Sequence, residues 1–221
     1  MAPMIPTHLS IDLDYWANYP VKGAYPISPG TFFKRVFALE VPIRVYMYHQ
    51  EVVPQINRSK CTRLINMDYH SDWSRGSPRN HQSLGDTIPH EGNWADWIKW
   101  RKQGEFIWLP PHPDCVLLGY GRCDQNRREP WPPEKVMKTS NEWKQVRFAL
   151  CPWKSINWKG ITDVSVVVSP DYLHPEPLIK DGIFDQLRID VPEAKSIIEN
   201  GWDSVSCMPD DGPEGFFKIV Y

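Results

Sequence analysis

The sequence has no stretch approaching the ~18 consecutive apolar residues of a membrane span. Its first residues, "MAPMIPTHLSIDLDYW", lack a basic segment followed by a long apolar run and do not read as a secretory signal. Cysteine is scarce: Cys61, Cys115, Cys123, Cys151 and Cys207 make an odd set of five without CxxC spacing. They read as reduced thiols of a cytoplasmic protein, which excludes a disulfide frame and a thiolate zinc site. There is no surplus of either charge. With 25 Lys and Arg against 27 Asp and Glu, the formal charge is -2, which excludes a broad basic face for nucleic acid. The short basic cluster at residues 122–128 includes Asp124 and reads as a solvated loop. No repeat, low-complexity linker or charge block divides the chain, so residues 1–221 are expected to form one domain.

Proline and tryptophan, by contrast, are plentiful. The 22 prolines and 11 tryptophans predict ordered, Pro-punctuated loops with aromatics available to line a groove. Apolar runs rich in branched and aromatic residues recur at residues 9–16, 43–53, 62–68, 106–109, 146–150, 164–168 and 216–220. Several, such as "VSVVVS", lack the alternation of a half-exposed strand and predict a sheet covered on both faces. Between them, start and stop signals predict helices over residues 31–40, 93–103 and 192–201. Strands alternating with helices imply an α/β domain with a mostly parallel sheet, whose site belongs at the carboxyl ends of the strands.

Two acidic strand ends stand out. In "INMDYHSDW", Asp68, His70 and Asp72 occupy every other position, and would share one side if the strand stays extended. Two carboxylates beside an imidazole repel one another unless a positive charge lies between them, and a metal ion is the obvious candidate. In "SIDLDYW", Asp12 and Asp14 stand at i and i+2 of an apolar strand, where an unpaired carboxylate is costly. A third run, "RVYMYHQE", delivers His49 at its end. Four aspartates and two histidines with no thiolate favour manganese or a similar divalent ion over structural zinc. Such a set suits a pair of metals bridged by carboxylate oxygens, able to deliver hydroxide to a planar carbon.

Plainer readings compete: a polar-capped strand end for Asp68, His70 and Asp72, an exposed edge strand for Asp12 and Asp14, and an ordinary core histidine for His49. Trp94, Trp97 and Trp100 sit at core-like helical spacing and read as packing. Trp16 and Trp73, just past the ligand sets, are candidates for lining a substrate groove.

"SIDLDYW" and "NMDYHSDW" resemble the paired SxDxD and DxHxD motifs of the arginase, agmatinase and deacetylase superfamily. They look closest to a divergent branch that includes the peptide arginases of ribosomal peptide maturation. The motifs cover about a fifth of the chain, and SxDxD opens it here, whereas in ordinary arginases it follows DxHxD. The resemblance implies an arginase-like three-layer α/β/α sandwich and a binuclear site of two Mn2+ ions. It implies Asp12, Asp14, His49, Asp68, His70 and Asp72 as ligands, with Asp12 and Asp68 bridging. "PHEGNWADW" resembles the segment that supplies an active-site histidine and a substrate-contacting asparagine. This implies His90 as proton shuttle, with a Pro-bounded loop its plain alternative, and Asn93 as substrate contact, where an N-cap would explain an Asn equally well. "VVVSPDY" falls where the family places an acid that grips the guanidinium, which gives Asp171 that role with Glu176 as rival.

The implied activity is a manganese-dependent hydrolase that converts arginine side chains of a ribosomally made precursor peptide to ornithine and urea. The implied partner is that peptide, with neither nucleic acid nor membrane. A ureohydrolase or deacetylase acting on a small guanidino or acylated amine substrate is the nearest alternative. A metal-stabilised peptide-binding module without turnover is the alternative outside enzymes.

Overall fold

A computed structural model describes residues 5–16, 27–59, 61–70, 72, 89, 92–99, 104–111, 135–138, 145–150, 153–169, 173 and 176–189. Seven strands form one sheet: β1 (Thr7–Asp12), β2 (Ile43–Tyr46), β3 (Arg63–Met67), β4 (Glu105–Leu109), β5 (Lys135–Lys138), β6 (Gln145–Leu150) and β7 (Ile161–Val167). Their order is β2-β7-β1-β3-β4-β6-β5, and every neighbouring pair is parallel except the edge pair β5–β6. The expected α/β class with a mostly parallel sheet is therefore present. The short strand β5 was not expected from the sequence, because "KVMK" carries a charge at each end and no alternation. The expected strand at 216–220 and helix at 192–201 lie outside the described residues. Among the described residues, no helix is long and apolar enough to cross a membrane.

Strand β1 lies between β7 and β3 and is buried along its whole length. Its odd positions, Leu9 and Ile11, join Ile65, Met67, Val164 and Val166 in one apolar cluster. That face is covered by α1 (Pro29–Phe37), α3 (Glu176–Lys180) and α4 (Ile183–Gln186), which contribute Phe32, Phe33, Val36, Leu178, Ile183 and Phe184. Helix α1 starts where Ser28 Oγ accepts a hydrogen bond from Thr31 N at 3.3 Å, with Pro29 at the first helical position. Gly30 N donates to Asp181 Oδ2 at 2.7 Å, and a Cβ on Gly30 would lie 3.1 Å from that oxygen, so this close approach favours glycine. Phe33 is fully buried in the cluster, so Phe33→Ala should destabilise the protein by about 3–5 kcal/mol in chemical denaturation.

The opposite face carries its own cluster, in which Leu64, Phe106 and Trp108 of the sheet meet Val53 and Ile56 of α2 (Val53–Ser59) and Trp94, Ala95 and Ile98. Among the described residues, strands β3, β4 and β7 thus bury apolar side chains on both faces.

Two predicted elements are shorter than their sequence patterns suggest. The run from Ile43 leaves the sheet after Tyr46, because Glu51 Oε2 accepts from Met47 N at 3.0 Å and Tyr48 N at 3.4 Å, which starts a 3-10 turn at His49–Val52. Of the helix expected over 93–103, residues 100–103 lie outside the described residues, and residues 93–99 instead make a 3-10 turn at Trp94–Trp97 and are extended again at Ile98. Asp72 O accepts from Ala95 N at 3.3 Å and anchors this turn from outside, so tertiary contacts outweigh local helix propensity. Trp94 is buried as expected, whereas Trp97 is 38 % exposed and packs in neither cluster.

Candidate metal centre

The site lies where four parallel strands end. β1 contributes Asp12 at its last position, and Asp14 follows in a 3-10 turn at Leu13–Trp16. β3 ends at Met67 and is followed by Asp68, His70 and Asp72. His49 follows β2, and Ser169 follows β7. This is the carboxyl rim of a parallel sheet, around the central strand from which the chain moves out in both directions.

All six predicted ligands converge there, though not by strand alternation. Asp68 Oδ1 accepts from His70 N at 2.8 Å, which bends the chain just beyond β3. Asp72 has a left-handed φ of 51°, a conformation Asp tolerates better than most residues, and this swings its carboxylate back toward the sheet. Asp12 Oδ1 accepts from Asp14 N at 3.0 Å, and Asp14 Oδ1 from Tyr69 N at 3.3 Å. Asp12, Asp14 and Asp68 thus each give one oxygen to a backbone N–H and turn the other inward.

Inward oxygens of three acids approach His49 Nδ1. His49 Nδ1 lies 3.0 Å from Asp12 Oδ2, 3.1 Å from Asp72 Oδ2 and 3.3 Å from Asp68 Oδ2. It is buried yet makes no well-aligned hydrogen bond with any of them. Ligands at about 2.1 Å from an ion and about 90–105° apart lie about 3.0–3.3 Å from each other, so each of these spacings is that of two neighbouring ligands on one ion. Asp12, His49 and Asp68 form one triad of ligand atoms within 4.8 Å of one another, and Asp14, Asp68 and His70 form a second. Asp68 is common to both. His70 Nδ1 lies 3.5 Å from Asp14 Oδ2, and its side chain is 43 % exposed, so the second triad opens toward solvent.

Burial makes the cluster electrostatically expensive. Asp12, Asp14, Asp68 and Asp72 are each at most 9 % exposed. Burial, with the Asp12 charge, raises the Asp14 carboxyl to about 6. Burial and the charges of Asp72, Asp14 and Asp12 hold Asp68 well above the usual carboxylate range. For His49, burial opposes the charged form, but the contacts with Asp12 and Asp72 outweigh it and raise the imidazole to about 10. Burial would raise Asp72, yet the neighbouring His49 lowers it. Cations placed among these acids would balance their charge.

The sequence reading missed several supporting residues. Ser169 Oγ donates to Asp12 Oδ2 at 2.6 Å, and Asn66 Nδ2 to Asp68 Oδ2 at 3.0 Å. Trp94 Nε1 donates to Asp72 Oδ2 at 2.7 Å, and its ring stacks on His49 with centroids 4.5 Å apart. Trp108 Nε1 donates to Asp68 O at 3.0 Å. Outer partners of this kind orient ligands and set their basicity. Asn66 had a visible signal, a polar residue two positions before Asp68 in an apolar strand; the tryptophan donors had none.

Trp16 requires correction: it does not line a groove. Its ring is fully buried against Phe32 and Phe33, and its Nε1 donates to Ile27 O at 2.9 Å, because the turn after Asp12 folds it onto the α1 face. Asn93 is buried beside the site and precedes the 3-10 turn without capping it through its side chain. Glu176 begins α3, but its side chain is outside the described set, as are residues His90, Trp73 and Asp171 altogether.

With this geometry in hand, comparison with protein-family models, curated proteins and solved structures finds no match for the chain.

Proposed function

We propose that the protein is a binuclear metal-dependent hydrolase of arginase type, acting in the cytoplasm on arginine side chains of a peptide and forming ornithine and urea. The observation that carries the reading is the pair of carboxylate–imidazole triads sharing Asp68 at the carboxyl rim. On this reading the sheet and its two covered faces form an arginase-like three-layer sandwich. Asp12, His49 and Asp68, with Asp72 beside His49, would hold one divalent ion, Asp14, Asp68 and His70 would hold a second, and manganese would suit this oxygen-rich, thiolate-free set. Ions bound there would supply a water acidic enough to attack a guanidinium carbon near neutral pH.

The chain's own groups do the rest. Ser169, Asn66 and Trp94 fix the carboxylates in place before substrate arrives. His70, the exposed member, stands where substrate enters. Asp171 pairs with the guanidinium through charge-assisted hydrogen bonds, and His90 returns a proton to the leaving amine. These last two roles rest on the motif resemblance.

The test is a urea assay on manganese-loaded protein with an arginine-containing peptide, free arginine and agmatine in parallel. Urea from the peptide is expected, with a mass loss of CH2N2 at arginine. Urea from free arginine or agmatine alone would move the protein to the small-substrate ureohydrolases, and no urea from any of the three overturns the proposal.

A further inference from the structure

A line of buried polar groups runs from the candidate centre back along the sheet, and the proposed chemistry uses none of it. The ring of His49 has two nitrogens, and while Nδ1 faces the acids, Nε2 lies 3.0 Å from Ser10 Oγ. The hydroxyls of Ser10 and Ser165 are 3.4 Å apart, and Ser165 Oγ is 2.8 Å from His8 Nε2. At the far end, His8 Nδ1 faces Asp163 Oδ2 at 3.6 Å. His8, Ser10 and Ser165 are fully inaccessible, and His49 is 1 % exposed.

The register explains why these residues meet. In the parallel pairing of β1 with β7, His8 sits opposite Asp163 and Ser10 opposite Ser165. Side chains two apart share a face, so the two polar rungs line up beneath Asp12 on the face that carries the site. Asp163 is anchored independently of His8: Arg44 Nη1 donates to its two oxygens at 2.9 and 3.2 Å, and Gln55 Nε2 donates to Oδ2 at 2.7 Å. Gln55 is in turn fixed by Tyr46 O–H, which donates to its Oε1 at 2.5 Å.

Three buried polar residues on a sheet face are costly unless they are of use. An imidazole can ligate through Nδ1 only if that nitrogen gives up its proton, so a neutral His49 ligand must carry its hydrogen on Nε2. A hydroxyl can either donate or accept, and it turns to suit its neighbours. One polarity of the line frees Nδ1 of His49 to be a ligand. In it His49 Nε2–H donates to Ser10, the hydroxyls turn so that Ser10 donates to Ser165 and Ser165 to His8 Nε2, and the His8 hydrogen is left on Nδ1, facing the Asp163 carboxylate at 3.6 Å, an electrostatic contact too long for a hydrogen bond. The reverse polarity would turn a bare His8 Nδ1 toward that carboxylate, lone pair against negative charge.

We propose that Asp163, His8, Ser165 and Ser10 are positioning residues that set the tautomer of His49, keeping its hydrogen on Nε2 so that the Nδ1 lone pair faces the bound ion. This inference rests on His49 being a ligand. It extends that reading by assigning a role in metal binding to residues remote from the ion, the farthest of which lies on the opposite side of two serines.

The experiment measures Mn2+ affinity by isothermal titration calorimetry on the full chain after chelator treatment, with circular dichroism to verify folding. Ser165→Ala deletes one oxygen from the middle of the line, and His8→Phe keeps an aromatic ring but removes both nitrogens. Each should weaken Mn2+ by about 10- to 100-fold, the range for lost outer partners of a ligand. His8→Gln keeps an acceptor for Ser165 and should recover most of the loss, which a purely space-filling role for His8 would not produce. His49→Ala separates the two levels of the reading. If His49→Ala and wild type bind Mn2+ alike, His49 is no ligand and the site assignment fails. If His49→Ala loses Mn2+ while folded Ser165→Ala and His8→Phe bind as wild type does, the ligand stands and the positioning line is overturned. If His8→Gln binds no better than His8→Phe, tautomer control by an acceptor is likewise wrong.

Discussion

Replacing Asp68 with asparagine should abolish tight manganese binding while making the metal-free protein more stable. Asp68 is the one residue common to both ligand triads, so its substitution removes a charged ligand from each proposed ion. The loss of affinity should exceed the about 100-fold that bounds the removal of an outer partner, and urea formation from the peptide should fall to background. Without metal the sign reverses. Asp68 is 1 % exposed and stands among the charges of Asp72, Asp14 and Asp12, which with burial hold its carboxyl far above the usual range. A neutral amide of the same shape removes that repulsion. It can still accept from His70 N, and the Asn66 amide, whose Oδ1 is buried without a hydrogen bond, can turn to accept from the new side chain. A gain of about 1 kcal/mol, or roughly 2–4 °C in melting temperature for a chain of this size, is expected in the presence of chelator. The two measurements together discriminate between models. A structural polar network with no cation would share the gain in chelator but would show no metal effect in either protein.

The sequence carried the composition of this site better than its geometry. Asp12, Asp14, Asp68, His70 and Asp72 were legible because carboxylates in apolar strands are rare enough to demand a partner. The reason offered for their convergence, alternation along an extended strand, does not hold beyond Asp12. β3 stops at Met67, and the remaining ligands are gathered by carboxylate-to-backbone hydrogen bonds and by one left-handed residue. Turn geometry of that kind depends on which donors lie nearby in the fold, and no local pattern encodes it. His8 and Ser165 were invisible for a related reason. "THLSID" does alternate polar with apolar, a pattern that normally marks a strand with one wet face. Here both faces are buried, and the polar positions are matched across the sheet by "DVSV" of β7, some 150 residues away in the chain. The α/β class, in contrast, was readable from continuous apolar runs alternating with helix signals. The helix expected over 93–103 failed where Asp72 captured the start of the segment.

Acidification should strip the proposed metal steeply, and the melting temperature should show why. His49 takes up a proton with a pKa of about 10 in the metal-free protein, and ligation through Nδ1 must displace that proton. Each pH unit below 10 therefore costs about tenfold in affinity, or about 100-fold between pH 7 and pH 5 from His49 alone. Asp14, raised to about 6, adds a further factor of about ten between pH 6 and pH 5. Stability follows the same linkage. For both groups the folded pKa lies above its ordinary value, so each stabilises the metal-free fold at low pH and loses that contribution as pH rises, Asp14 between 3.8 and about 6 and His49 between 6.5 and about 10. A bound ion replaces those protons and carries the stabilisation to higher pH. The manganese-induced rise in melting temperature should thus be negligible at pH 5 and grow through pH 7 to pH 8, as read by thermal denaturation with and without metal. A metal effect that is constant across this range would mean that the ion displaces no proton from His49 or Asp14 and binds elsewhere.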